Sequence, residues 1–126
     1  MRILLIAGGW SNEKDVSLSG STSIQAALER LGHKVVFADP STQFHKLPGL
    51  AQDADFAFIN LHGCPGEDGL IQALLDRLGC PYQGSGPSGS LLALNKAAAK
   101  ELFVHRGIPT PDWEFLPLPP EPDWTC

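Results

Sequence analysis

Three short segments of this chain concentrate the residue types that bind ligands or move protons. Residues 8–17 read Gly-Gly-Trp-Ser-Asn-Glu-Lys-Asp-Val-Ser, with carboxylates, one amine and a hydroxyl just ahead of a helical pattern. Asp15 there could hold an ammonium group while the amides that follow face an anion; equally, Asp15 or Ser17 could cap the helix by accepting from free backbone N–H groups. Residues 62–69 read His-Gly-Cys-Pro-Gly-Glu-Asp-Gly. His62 could bind a carboxylate, relay a proton or ligate a metal, or simply hydrogen-bond a neighbouring loop. Its glycines, Gly63 among them, allow close approach of a ligand to the backbone. Cys64 lies two residues on, but no second His/Cys pair completes a four-ligand metal set, so no metal site is expected. Residues 84–89, Gly-Ser-Gly-Pro-Ser-Gly, match the G-x-G-x-x-G string. They follow a late strand, carry a Pro in the turn and lack an acid ~20 positions on, so they read as a tight turn near a ligand rather than a dinucleotide site. Lys96 and Lys100 fall one helical turn apart, where either could reach a phosphate or stay solvated.

The elements that must position these segments follow from periodicity. Residues 3–7 form a continuous apolar run ending at Gly8-Gly9, the pattern of a buried parallel strand. From Val16 the apolar residues Leu18, Ile24, Ala27, Leu28 and Leu31 recur at helical spacing, and Gly32 marks a stop. Residues 35–38 and 56–61 read as further strands, separated by a loop with Pro48 and Gly49. A helix with Leu70, Leu74 and Leu78 on its apolar face follows, with Glu67 and Asp68 at its start to suit the macrodipole. Residues 81–83 predict a short fourth strand and residues 91–106 a last helix. The class expected is α/β: an open parallel sheet of about four strands with helices on both faces, Rossmann-like. Ligands of such sheets bind beyond the carboxyl ends of the strands, where all three loops emerge.

Composition narrows the function. The 126 residues, 43% hydrophobic, suffice for one compact domain. The net charge of −5 is scattered and no Lys/Arg cluster could follow a phosphate backbone, so nucleic acid is not an expected partner. No apolar run approaches the ~20 residues that span a bilayer, and residues 3–7 are too short for a signal-peptide core. Three cysteines without C-x-x-C spacing fit a reducing cytoplasm better than a disulfide framework. Residues 1–108 read as the α/β domain. Residues 109–126 hold six of the eleven prolines and read as a linker cut at a domain boundary, with residues 113–115 as a strand candidate.

The strings Leu5-Ile6-Ala7-Gly8-Gly9, Glu13-Lys14-Asp15-Val16-Ser17-Leu18, residues 61–69, Tyr82-Gln83-Gly84-Ser85-Gly86 and Asn95-Lys96 together resemble the amino-terminal, pre-ATP-grasp domain of D-alanine–D-alanine ligases. The order and spacing match over almost the whole chain, and His-Gly-x-x-Gly-Glu-Asp-Gly is the most specific piece. The resemblance implies a cytoplasmic ATP-grasp ligase of peptidoglycan synthesis. ATP phosphorylates one D-alanine carboxylate, and the amine of a second D-alanine displaces phosphate. It places on Asp15 the acid that binds the first D-alanine ammonium, where the family usually has Glu. The substrate-site histidine falls on His62, next to Gly63, and the ATP-contacting lysine falls on Lys96. Ser17 becomes a helix-start residue near the substrate, and Trp10 replaces the usual Thr or Ser. The adenine pocket, the Mg2+ carboxylates and the loop that selects the second substrate belong to domains beyond this chain. The chain alone is therefore expected to be inactive, to need the remaining domains, and to dimerise through the first helix region.

Three other readings compete. A stand-alone small-molecule binding module would reuse the domain without catalysis, and a D-alanine–D-lactate ligase would differ only in the absent selecting loop. A flavodoxin-like or response-regulator-like signalling domain would want an acidic pair after the first strand and an Asp after the third, where this chain has Gly8-Gly9 and Asn60.

Overall fold

The computed structural model describes residues 1–114. Strand β1 (Arg2–Ala7) is buried from Ile3 to Ala7, as a strand covered on both faces requires. It lies between two parallel neighbours, β2 (Lys34–Ala38) and β3 (Phe56–Asn60), with Ile3 opposite both Val35 and Phe56. The fourth strand expected at 81–83 is reduced to one isolated parallel bridge between Ala57 and Tyr82, where Pro81 O accepts from Ala57 N at 2.8 Å. Beyond that bridge a side chain replaces the backbone. Gln83 Oε1 accepts from Ile59 N at 3.0 Å, and Gln83 Nε2 donates to Ile59 O at 2.6 Å. Pro81 has no N–H to offer a ladder and Gly84 turns away at φ 98°, so the pairing goes no further.

Helix α1 (Lys14–Arg30) covers one face of the sheet and contacts all three strands. Small residues let it come close: Ser17 and Ser21 are its buried positions, and a Cβ on Gly20 would stand 3.2 Å from Asn60 Nδ2. The helix ends as its Gly32 foretells. Gly32, at φ 82°, donates to Glu29 O while His33 N donates to Leu28 O, so the last turn's carbonyls find partners.

The stretch read as a loop around Pro48 and Gly49 is largely helical: α2 (Pro40–Gln43), a 3-10 turn (Phe44–Lys46) and α3 (Leu47–Gln52). Its prolines sit in first turns, where a missing N–H costs nothing. Helix α3 packs with α4 (Leu70–Leu78) on the other face of the sheet. There Leu47, Ala51, Ile71 and Leu75 close over Leu4, Ile6, Ala57 and Leu61.

The single helix expected at 91–106 is two, α5 (Pro87–Leu94) and α6 (Lys96–His105). Asn95, with ψ 94°, breaks them and caps the second by accepting from Ala98 N at 3.1 Å. Residues 109–114 form neither helix nor strand. Trp113 and Glu114 thus depart from the strand expected there, and Phe115 and the rest of the proline-rich segment lie outside the described residues. Among the described residues no helix is long and apolar enough to cross a membrane.

Two glycines separate conformational strain from collision. Gly79 ends α4 at φ 70° with nothing within 4 Å of a hypothetical Cβ, whereas a Cβ on Gly8 (φ 94°) would stand 2.5 Å from the Asp39 carboxyl carbon. Gly79→Ala should cost about 1–2 kcal/mol. Gly8→Ala should cost roughly twice that, because overpacking adds to the same backbone penalty. Urea unfolding of the two variants measures the difference, and equal midpoint shifts would remove the collision from the account.

Candidate functional site

Where three parallel strands end together, backbone groups emerge that no ladder satisfies, and polar side chains take them up. Gly8 N donates to Ser17 Oγ at 2.7 Å, and the same hydroxyl donates to Asn60 O. Asn60 Nδ2 returns a bond to Ser17 O at 2.8 Å. Ser17 is therefore no helix cap: it is fully buried and stitches α1 to the carboxyl ends of β1 and β3. Gly9 N donates to Asp39 Oδ1 at 2.9 Å. Ser11 joins the first loop to the second, donating to His62 O at 2.7 Å and accepting from Glu13 N at 3.2 Å.

Helix α1 starts at Lys14, two residues before the expected Val16, with Glu13 at the N-cap position and no side-chain cap. Asp15 stands in the first turn, exposed and without a hydrogen bond or ion pair among the described residues, so the capping reading finds no support for it either. Two residues along a helix rotate a side chain by about 200°, which sets Asp15 away from the inward-facing Ser17. Glu13, the N-cap residue, precedes Ser17 by four residues, about one helical turn, which corresponds to an offset of about 40°.

The second loop is held by its own acids. Gly63 N donates to Glu67 Oε2 at 2.9 Å, and Gly63 O accepts from Gly66 N and Glu67 N at 2.9 and 2.8 Å. Asp68 accepts from Leu70 N at 3.0 Å and from Cys64 Sγ at 2.8 Å. These acids, expected to answer the α4 dipole, mainly tie the loop; Gly69 holds the N-cap position. Gly63 is required twice over, by φ 63° and by Ser11 Cβ at 3.2 Å from where its own Cβ would be. His62 is half-buried, and its ring makes no hydrogen bond among the described residues. The structural alternative, a ring bonded to a neighbouring loop, is thus not what the geometry shows.

A cavity of about 460 Å³ opens beside this loop, on the α4 side of the sheet. Leu61, Glu67, Gln72, Gln83, Ser90 and Lys96 are among its lining residues. Gln72 is buried, donates to Gly66 O at 2.5 Å and leaves its Oε1 without a partner among the described residues.

The cations divide the labour. Lys100 Nζ donates to Thr110 Oγ1 and Pro111 O at 3.1 and 3.0 Å, which pins the segment after α6. Lys96 is exposed and has no such partner among the described residues. It begins α6, where the helix already favours an anion, so its charge adds to the dipole instead of offsetting it. Lys14 Nζ lies 2.9 Å from Asp39 Oδ2 and donates to Ser41 Oγ at 2.6 Å. Burial works to raise the Asp39 pKa, but the Gly9 N–H, Lys14 and Ser41 outweigh it and hold the carboxyl below its usual value of 3.8. Among the described residues no three His, Cys, Asp or Glu side chains are grouped to hold a metal ion. Ser11, Glu13, Asp39 and Gln72 were not singled out from sequence. Asp39-Pro40 alone carried a signal, that of an N-cap followed by a first-turn proline.

Removing the Ser17 hydroxyl deprives the buried Gly8 N–H of its acceptor, so Ser17→Ala should lower stability by roughly 1–3 kcal/mol in urea unfolding. Asp39 stabilises the fold fully above pH 3.8, and that share is lost as pH falls through its lower folded pKa. Asp39→Asn should therefore flatten the acid side of a melting-temperature profile below about pH 4. A parallel downward displacement at every pH would instead assign Asp39 a role independent of its charge.

No protein-family model matches the chain. The D-alanine–D-alanine ligase of Oleidesulfovibrio alaskensis is 68% identical over 124 residues, covering 98% of this chain and 40% of the relative. That of Nitratidesulfovibrio vulgaris is 61% identical, covering 98% and 41%. The crystal structure of a D-alanine–D-alanine ligase from Bacillus anthracis superimposes with a TM-score of 0.81 at 38% identity, over 90% of this chain and 38% of that one. Another structure of that ligase, complexed with ATP, gives the same score. This chain thus spans about 40% of the length of its curated relatives, and what it matches, over nearly all of its own residues, is the amino-terminal part of D-alanine–D-alanine ligases.

Proposed function

We propose that this chain forms the first D-alanine half site of an ATP-dependent D-alanine–D-alanine ligase and is inactive without the remaining domains. The observation that carries this reading is the Ser11 hydroxyl, which ties the backbone of the acidic first loop to that of His62 and so holds a carboxylate source and an unengaged imidazole along one edge. An amino acid needs that pairing of charges. A loop carboxylate takes its ammonium group, while His62, beside the Gly63 backbone, meets its carboxylate. Asp15 is the acid the resemblance assigns; the helical rotation favours Glu13, on the Ser17 side, as the competing acid.

ATP supplies the phosphoryl group that activates the D-alanine carboxylate. Lys96, with the amino end of α6, contributes one cationic contact to its phosphates. The adenine pocket and the Mg2+ ligands belong to the remaining domains. We further propose a cytoplasmic protein whose copies pair along α1, where the exposed ring of Phe37 on the edge strand β2 lines one shallow pocket with Leu18, Thr22 and Gln25.

Titration of the labelled chain with D-alanine should shift the His62 ring and first-loop carboxylate signals to saturation, with a weaker response to L-alanine. A flat response to D-alanine removes the half site. In a chimera carrying this chain in place of the matching part of the O. alaskensis relative, ATP-dependent ligation should appear. His62→Ala should then lower kcat/KM roughly 10²-fold. Whichever of Glu13→Gln and Asp15→Asn raises KM for D-alanine more identifies the ammonium ligand.

A further inference from the structure

The first loop presents Glu13, Lys14 and Asp15 in succession, so its only cation stands between two acids. Lys14 pairs with neither. Its ammonium is drawn sideways to the end of β2, 2.9 Å from Asp39 Oδ2 and 2.6 Å from Ser41 Oγ. Neighbours in a helix diverge by about 100°, so the backbone itself already sets Lys14 off the line of Asp15. Asp39 is well placed to hold it. The carboxylate is only 12% exposed and is itself fixed by the N–H groups of Gly9 and Ser41, at 2.9 and 2.8 Å. Glu13 and Asp15 consequently make no ion pair among the described residues.

We infer that Asp39 is a positioning residue for substrate: by cancelling the charge of Lys14 it leaves the first-loop carboxylate as the unopposed anion that an amino-acid ammonium group meets. The inference rests on the ammonium site proposed above, whether Glu13 or Asp15 supplies the acid. An uncompensated lysine within a Debye length of that acid would repel the incoming ammonium and compete for the acid. Asp39 acts here through Lys14 and does not touch substrate.

The test is D-alanine titration of the full chain by NMR in four forms: unsubstituted, Asp39→Asn, Lys14→Gln and the double variant. Asn at 39 keeps an oxygen for the Gly9 and Ser41 N–H groups, whose signals report whether the loop is still in place. Asp39→Asn should raise the half-saturation concentration roughly three- to tenfold at low salt, and the difference should shrink at about 1 M salt. Lys14→Gln should bind no more weakly than the unsubstituted chain. The double variant should return to within about twofold of it, because the offending charge has gone with its partner. Equal half-saturation in Asp39→Asn and the unsubstituted chain overturns the inference, as does a double variant as weak as Asp39→Asn, which would mean that loop order rather than charge was lost. Failure of the unsubstituted chain to saturate overturns the ammonium site itself, and this inference with it.

Discussion

Parallel strands that stop at a common edge leave N–H and C=O groups pointing out of the sheet, and a buried group of that kind left unmet costs about as much as a typical point mutation. The whole edge of this domain is arranged around that constraint. Ser17 bonds Gly8 N and Asn60 O, Asp39 takes Gly9 N, and Ser11 takes His62 O. Each of these side chains comes from a different segment than the backbone it serves. Satisfying the edge therefore also locks the first loop, the amino end of α1 and the second loop to one another. The glycines follow from the same packing: a side chain at Gly8 would enter the Asp39 carboxylate, and one at Gly66 would collide with Leu61.

A site built this way holds its polar groups before any ligand arrives, and preorganised groups need little reordering when charge appears. The acids of residues 67 and 68 illustrate the division between scaffold and function. Both lie in the string that most specifically marks the resemblance, yet both serve the loop itself: Glu67 binds Gly63 N and Asp68 binds Leu70 N. The side chains of His62 and Lys96, by contrast, make no hydrogen bond or ion pair among the described residues. The contrast separates side chains that hold the loop together from side chains the fold leaves unengaged.

Much of the architecture was legible because it rests on periodicity. The apolar run of β1, the helical spacing of α1 and its Gly32 stop are local signals, and they fix a parallel α/β sheet with little ambiguity. The errors fall where tertiary partners decide. Residues 81–83 have strand chemistry, but Pro81 and Gly84 flank them and leave one bridge. Residues 91–106 have helical chemistry throughout, and only the Asn95 side chain, by capping from within, divides them. The segment with Pro48 and Gly49 looked irregular because its breakers were not recognised as first-turn residues. Sequence left Ser17 as one of two candidate caps, since its actual partners, Gly8 and Asn60, lie nine and forty-three positions away, distances no local pattern reports. Asp39 escaped notice for the same reason.

The carboxamide of Gln83 has a bearing on how the molecule avoids its own kind. An open strand edge is a template on which another chain can add itself, and β3 would offer one beyond its single bridge to Tyr82. By occupying both the donor and the acceptor of Ile59, Gln83 closes that template with a side chain, so no foreign strand can continue the ladder there without first displacing it. The outer side of β2 has no comparable plug among the described residues and carries Lys34 and the partly bare ring of Phe37. Protection against aggregation is thus unequal on the two sides of the sheet, and the guarded side is the one where Ile59 and Gln83 line the cavity.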